Sequence, residues 1–280
     1  MPFVNAESLR VHYVEQGEGP PVLLLHGWPT SSFLWRNIMP EIAKNNRVIA
    51  IDLPGFGQSD KPLDVSYSYR FYERVITAVL DALEVSDVGL CVHDLGGPLG
   101  LYWATKNKQR VRELALLNTL VYAKVSWAVI AFGAACRLPG MNRLLSSQWG
   151  LRASMRVGTV RPECLTEELY EGVTAPFRNA QARSALIKTV LGLSPKGRKE
   201  IESALPSFQC PVRLIYGEQD RILPDVAKTM KRVAGDLPQS ETTAVADCGH
   251  FLQEDAPAAV APLLAEFFAP KAGADSPTAP

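Results

Sequence analysis

The chain has 280 residues, which suits one domain of about 200–250 residues with an insertion better than two equal domains. Lysine plus arginine and aspartate plus glutamate balance at 29 each. Because no basic stripe or charge block is visible, neither nucleic acid nor a membrane is expected as a partner.

Apolar patterns predict the core elements in chain order. Buried strands appear as continuous apolar runs, half-buried strands as alternating ones, and one long amphipathic pattern predicts a helix. The predicted strands are 9–15, 21–25, 47–52, 90–94, 114–118 and 212–217, and the predicted helix is 69–83. Strands that alternate with helices indicate a mostly parallel, doubly wound sheet with helices on both faces.

The segment 121–205 breaks this pattern. It lacks buried-strand runs, is helical in character, and is interrupted by proline and glycine. An insertion of this size after a strand end is typical of a helical cap that restricts access to the sheet edge. We therefore divide the core into residues 1–120 and 206–270, and expect the small, proline-rich and alanine-rich tail 271–280 to be disordered.

The five cysteines are scattered and odd in number. They lack the paired spacing of a zinc site, so reduced thiols are expected and no metal is predicted. No run of about 18 apolar residues and no apolar signal core occurs. A cytoplasmic protein is the resulting expectation.

Asp94 is the most informative residue. It follows an apolar strand and precedes Leu95, Gly96 and a predicted helix, which is the sequence pattern of a nucleophile elbow. A carboxylate needs no deprotonation near neutral pH, since free aspartate titrates at about 3.9. Attack on a saturated carbon with a leaving group would give an alkyl ester, which water can open. The alternative is that Asp94 only caps the helix.

Two later residues complete a catalytic order. Asp220 lies in the loop after the strand 212–217, and His250 follows a further short strand and turn. Nucleophile, acid and base in the order Asp94, Asp220, His250 match the chain order of α/β-hydrolases. His250 would bond Asp220 through one ring nitrogen and activate water with the other.

The segment 26–29 (HGWP) follows the second predicted strand. The backbone N–H groups of Trp28 and Leu95 are expected to form an oxyanion hole beside Asp94. We expect His26 to brace this loop. His93 flanks the nucleophile and is expected to point away across the elbow, without a catalytic role.

These motifs resemble the α/β-hydrolase superfamily, specifically its branch of haloalkane dehalogenases and epoxide hydrolases. The similar segments are 26–40 (HGWPTSSFLWRNIMP), 52–62 (DLPGFGQSDKP), 92–97 (VHDLGG) and, in the insertion, 165–168 (LTEE) with 175–178 (APFR). The resemblance covers nearly the whole chain. It implies an α/β-hydrolase fold with an eight-stranded sheet, an Asp-His-Asp triad and no cofactor.

The resemblance also raises the question of how the leaving group is stabilised. Dehalogenases place a tryptophan after the nucleophile, where this chain has Leu95, which has no side-chain donor. Candidate indole donors are Trp28, Trp127 and Trp149. Epoxide hydrolases use two cap tyrosines, for which Tyr122 and Tyr170 are the candidates.

We therefore expect a haloalkane dehalogenase-like hydrolase that acts on small apolar organohalides with water. Epoxide hydrolysis is the alternative, and related lactone-opening or oxygenase chemistry stays open. A catalytically idle module that binds a small ligand is a third hypothesis. The oligomeric state is expected to be a monomer or a homodimer.

Overall fold

The structure is a computed structural model, and it describes residues 2–270. Eight strands form one sheet. The strands are β1 (Phe3–Ala6), β2 (Leu9–Gln16), β3 (Pro21–Leu25), β4 (Arg47–Ile51), β5 (Val88–Asp94), β6 (Val111–Thr119), β7 (Val212–Gly217) and β8 (Ser240–Val245). The tail 271–280, predicted to be disordered, lies outside the described residues.

The strand order across the sheet is β1-β2-β4-β3-β5-β6-β7-β8. β1 pairs with β2 and β2 pairs with β4 in antiparallel fashion, whereas all other neighbouring strands are parallel. The predicted α/β-hydrolase fold with a mostly parallel eight-stranded sheet is therefore confirmed. β5 lies near the middle of the sheet. Its carboxyl end therefore lies centrally on the edge where parallel sheets bind ligands.

The central strands are buried on both faces, which explains their continuous apolar sequences. Successive side chains of a strand point to opposite faces. In β3, Leu23 and Leu25 belong to one apolar cluster, and Val22 and Leu24 belong to another. Helices cover these clusters on both faces of the sheet and hold the sheet in place.

Twelve α-helices accompany the sheet in the described part of the chain. They are α1 (Met39–Ile42), α2 (Tyr69–Ala82), α3 (Gly96–Lys106), α4 (Trp127–Arg137), α5 (Met141–Leu145), α6 (Gln148–Gly158), α7 (Glu167–Thr174), α8 (Ala180–Leu191), α9 (Pro195–Ala204), α10 (Val226–Asp236), α11 (Leu252–Asp255) and α12 (Pro257–Phe268).

Six of the helices, α4 to α9, lie between β6 and β7. Serine, threonine or asparagine side chains cap the N-termini of α4, α6, α7 and α8 by accepting a backbone N–H, which explains why helices begin there. We keep the exact borders of the inserted unit, 121 and 205, as a prediction. Within residues 2–270, no helix is both long enough and apolar enough to span a bilayer.

Candidate active site

Asp94 lies at a sharp turn between β5 and α3. Its φ is +49°, a left-handed conformation that non-glycine residues rarely adopt outside functional turns. The turn needs close backbone approach at Gly96, where a Cβ would lie 2.5 Å from the carbonyl oxygens of Leu25 and His26. The hydroxyl of Thr119 donates to the Asp94 carbonyl at 2.6 Å. The elbow predicted from the sequence is thus present and braced from β6.

The two carboxylate oxygens of Asp94 have different surroundings. The backbone N–H of Trp28 donates to Oδ1 at 2.7 Å, and the backbone N–H of Leu95 also contributes a hydrogen bond to the carboxylate. Oδ2 lies 3.4 Å from Nε2 of His250. The side chain is 12% exposed, so small molecules can reach it. Both expected oxyanion donors therefore lie at the carboxylate.

His250 links the two aspartates. Its Nδ1 lies 2.8 Å from Oδ2 of Asp220, and both side chains are fully buried. Oδ1 of Asp220 accepts the backbone N–H groups of Ile222 and Leu223, each at 2.8 Å. Nε2 of His250 makes no aligned hydrogen bond to any described residue, so this nitrogen is open to a water molecule. The chain order Asp94, Asp220, His250 thus brings three side chains to one place.

Mutual charge interactions set the protonation of this group. Burial alone lowers the pKa of His250, but the two flanking carboxylates raise it to about 10. Burial raises the pKa of Asp94 and of Asp220, yet the imidazole and backbone donors outweigh burial and hold both below the ordinary value. The resting site therefore holds two carboxylates around one imidazolium.

Asn118 is a site residue to which the sequence analysis assigned no role. Its Nδ2 donates to Oδ2 of Asp220 at 2.7 Å and to the carbonyl of Gly249 at 3.1 Å, and its Oδ1 accepts from the N–H of Gly217 at 2.9 Å. The residue is completely buried and has φ +30°. The position of Asn118 at a strand end was the signal available in the sequence.

The expectation that His93 points away from the site is wrong. Its Nε2 lies 2.9 Å from the carbonyl oxygen of His250, and the two imidazole rings are 4.8 Å apart. Burial and the nearby His250 lower the pKa of His93 to about 4, so His93 is neutral and donates its Nε2–H. His93 thereby holds the backbone of the base in place. This contact could not be predicted, because no sequence pattern indicates how the loop of His250 packs on β5.

His26 braces the oxyanion loop, as expected. Nε2 accepts the backbone N–H of Leu53 at 3.1 Å, which places the proton on Nδ1, next to the carbonyl of Gly27 at 3.0 Å. Burial lowers the pKa of His26, which favours this neutral form. His26 thereby ties the loop that carries Trp28 to the end of β4.

Of the three candidate indole donors, only Trp28 lies beside Asp94. Its Nε1 is buried with no hydrogen-bond partner among the described residues, and its ring packs against Phe132 of α4 at 4.8 Å. The side chains of Trp127 and Trp149 are 75% and 65% exposed. The expectation that these two supply an N–H to a buried leaving group is therefore not met.

The two candidate tyrosines use their hydroxyl groups elsewhere. The Tyr122 hydroxyl donates to Oδ2 of Asp236 at 2.7 Å, and this contact turns the hydroxyl toward α10. The Tyr170 hydroxyl accepts from Nε of Arg156 at 3.0 Å. An opened epoxide would need two free tyrosine hydroxyls as donors, and both of these hydroxyls already have partners.

A cavity of about 870 Å³ lies away from the triad. It opens between β2, the loop after β3 and the end of α7, with His12, Phe33, Arg36 and Glu171 in its lining. None of the three triad residues lines it. Chemistry at Asp94 therefore does not use this cavity. Within residues 2–270, no cluster of three or more acidic, histidine or cysteine side chains is arranged for a metal.

Comparisons with known proteins agree with this geometry. A family model described as alpha/beta hydrolase fold matches residues 20–257. A haloalkane dehalogenase of Agrobacterium fabrum is 30% identical over 93% of this chain and 89% of that protein. A cis-3-alkyl-4-alkyloxetan-2-one decarboxylase of Shewanella oneidensis is 29% identical over 91% of this chain and 83% of that protein. The crystal structure of haloalkane dehalogenase DbeA from Bradyrhizobium elkani superposes with a TM-score of 0.84 at 27% identity, covering 95% and 96% of the two chains.

Proposed function

We propose, on the premise that this chain belongs to the α/β-hydrolase fold family and to its haloalkane dehalogenase branch, that Asp94 is the nucleophile of a cofactor-free hydrolase for small apolar organohalides. One observation carries the proposal. The Asp94 carboxylate is held by the Trp28 N–H at 2.7 Å on one oxygen and faces His250 at 3.4 Å with the other. A helix cap alone would not need an imidazole paired to a second buried acid.

In the first step, Oδ2 of Asp94 attacks the carbon that bears the leaving group. The new carbon–oxygen bond forms as the carbon–halogen bond breaks, and halide departs with the bonding pair. The lowered pKa of Asp94 keeps the carboxylate ionised, so no base is needed in this step. The product is an ester between Asp94 and the alkyl group.

In the second step, His250 becomes a base because the ester has removed a charge. The carboxylates of Asp94 and Asp220 both raise the pKa of His250, and esterification neutralises one of them. Neutral Nε2 then takes a proton from the water that attacks the Asp94 carbonyl carbon. The N–H groups of Trp28 and Leu95 bind the oxyanion that forms. Its collapse expels the alcohol oxygen, which recovers the proton from His250.

The departing halide needs a hydrogen-bond donor, because an unpaired anion in an apolar site is costly. Leu95 offers no side-chain donor, whereas Trp28, whose backbone N–H bonds Asp94, has a buried and unpartnered indole Nε1. We assign the leaving-group contact to Trp28. With one indole donor in place of two, bromide and iodide should leave faster than chloride.

Strained lactones are a second candidate substrate class. The lack of a side-chain donor at Leu95 favours them, because a leaving carboxylate spreads its charge over two oxygens and needs fewer hydrogen-bond donors than a halide. A relative is named for oxetan-2-one decarboxylation, which is chemistry on a four-membered lactone. Attack of Asp94 on the alkyl carbon of such a ring would open it to a carboxylate without a halide donor. Loss of carbon dioxide from that carboxylate would then form an alkene and expel the Asp94 carboxylate, without hydrolysis of the ester.

Epoxide hydrolysis is less well supported. Its alkoxide needs an acidic hydroxyl, and the two candidate hydroxyls, of Tyr122 and Tyr170, already bond Asp236 and Arg156. A cytoplasmic location and a monomeric or homodimeric state stay predictions.

Two variants test the covalent mechanism. Asp94→Asn should abolish turnover, and His250→Phe should form the ester but not hydrolyse it, so that mass spectrometry finds the added alkyl group on the Asp94 peptide. A single turnover of the native enzyme in heavy-oxygen water should place the label in Asp94 first. Label that appears only in the alcohol would exclude the ester intermediate.

Substrate comparison tests the leaving group. Halide release from 1-bromobutane, diol formation from styrene oxide and carbon dioxide release from a dialkyl oxetan-2-one are measured in parallel. Trp28→Phe should slow halide release about a hundredfold, in line with the loss of one well-placed donor, while the exposed Trp149→Phe should change nothing. Tight binding of an apolar ligand without any turnover would instead indicate a binding module.

A further inference from the structure

The outward face of the inserted helices is unusually apolar. The exposed residues of α4 recur every three to four positions, which places them on one side of the helix. α5 and α6 also carry exposed residues. The large exposed apolar side chains of these helices and of the turn between the first two are Trp127, Ile130, Leu138, Met141, Leu144, Trp149 and Val157. α4 contacts α5 and α5 contacts α6, so the three helices form one surface. Large exposed apolar patches mark interaction sites. We call this surface the cap face.

The helices that form the cap face carry charge of one sign only. Residues 121–162 contain no aspartate or glutamate. The cations in this segment are Lys124, Arg137, Arg143, Arg152, Arg156 and Arg161. Arg152 pairs with Glu167, whereas Lys124, Arg137 and Arg143 are exposed and form no ion pair with any described residue. The even overall balance of charge therefore hides a local positive field.

α4 connects the cap face to the active site. Trp127 and Ile130 point outward from this helix, with Ile130 63% exposed, while Phe132 packs inward on the ring of Trp28 at 4.8 Å. The backbone N–H of Trp28 holds the nucleophile. A molecule bound at the cap face would thus lie one helix away from the catalytic carboxylate.

We infer that the cap face docks on an anionic lipid surface. Tryptophan and aliphatic side chains enter the boundary between headgroups and acyl chains, and flanking lysine and arginine contact anionic headgroups. A second protein copy is less suitable, because the unpaired cations of two copies would repel each other. Docking would bring the protein to apolar substrates, which partition into lipid, with α4 between the lipid and the active site. The inference reverses the expectation that membranes are not partners, which rested on the net charge of the whole chain.

Vesicle flotation tests this docking with the full chain. Vesicles of phosphatidylcholine mixed with phosphatidylglycerol should bind the protein, and vesicles of phosphatidylcholine alone should bind it about tenfold or more weakly, as expected for several headgroup charges. Trp127→Ser with Ile130→Ser, and separately Arg137→Glu with Arg143→Glu, should each abolish most of the binding.

Matched control variants make the same kinds of substitution at sites away from the cap face. Val14→Ser removes an exposed apolar side chain on β2, and Lys228→Glu with Lys231→Glu makes the same charge change on α10. Both should bind like the native protein. Asp94→Asn should also bind fully, so that docking is separated from catalysis.

Three outcomes would overturn the inference. These are absence of binding to anionic vesicles, equal binding of the cap-face variants and the controls, or a concentration-dependent dimer in light scattering that Ile130→Ser dissociates. The last outcome would assign the cap face to a second copy of the chain. Unchanged circular dichroism and unchanged turnover of a water-soluble substrate would show that the variants are folded.

Discussion

Replacing Asp94 by asparagine should change the titration of His250 as ester formation does. Asparagine keeps the shape of the side chain but removes its charge, and an alkyl ester removes the same charge. The variant is therefore a stable mimic of the charge state in which His250 has to act as a base. Its imidazole can be titrated directly, whereas the ester intermediate is transient.

The distance between the two groups sets the size of the effect. Two unit charges 4 Å apart interact by about 4 kcal/mol at an effective dielectric of about 20, and Nε2 of His250 lies 3.4 Å from Oδ2 of Asp94. Since one pH unit corresponds to about 1.4 kcal/mol, the loss amounts to about two to three pH units. The pKa of His250, about 10 in the native site, should fall to about 7 to 8. Asp220 still holds it above the value that burial alone would give.

Nuclear magnetic resonance of the imidazole rings measures this directly. The sequence contains four histidines, so the resonance of His250 can be assigned by comparison with His250→Gln. Asp236→Asn serves as a remote control for the loss of one carboxylate. A pKa of His250 that is equal in Asp94→Asn and in the native protein would refute the proposed electrostatic coupling, whatever the variant does to turnover.

Three further predictions concern geometry and stability. Gly27→Ala should abolish turnover, since the added Cβ would lie 2.3 Å from Cβ and Oδ1 of Asp94, whereas Gly235→Ala, with open space around it, should be silent in the same assay. Asn118→Leu removes the amide that holds the acid of the triad. It should lower kcat more than it raises KM, and it should reduce the free energy of unfolding by about 1–3 kcal/mol. Unchanged steady-state kinetics would show that this amide does not position the triad. Because the pKa of His250 is raised from 6.5 to about 10 in the folded protein, its stabilising contribution is complete below pH 6.5 and is lost as pH rises through about 10. Thermal melts should therefore show Tm falling across this interval, and a smaller fall in His250→Gln.

The sequence predicted the fold because the central strands are buried on both faces. Continuous apolar runs such as 21–25 and 47–51 are typical of strands buried on both faces. The observed β3 and β4 have the same bounds as these runs. The triad was also predictable, since parallel strands end at one edge and the chain order of Asp94, Asp220 and His250 then suffices. These inferences need only local pattern and connectivity.

The supporting contacts could not be predicted in the same way. Whether the hydroxyl of Tyr122 faces the site or Asp236 depends on how α10 packs against the loop after β6, and no local pattern encodes that packing. The exposure of Trp127 is likewise decided by which face of α4 lies on the protein. Asn118 is the last residue of the predicted strand 114–118, but its role depends on the contact with Asp220, 102 positions away in the sequence.

The charge of Asp94 sets the order of the two chemical steps. While Asp94 is ionised, it is a nucleophile, and it also holds His250 in the protonated form that cannot accept a proton from water. Once Asp94 is esterified, its nucleophilicity and its hold on the imidazole proton are lost together, and His250 can activate water at the carbonyl that has just formed. A histidine with only one acid partner would be neutral for more of the cycle and could activate water before a substrate is bound. The raised pKa of His250 is therefore consistent with a base that is switched on by its own intermediate, and Asp94→Asn should show that base permanently switched on in a protein that cannot form the ester.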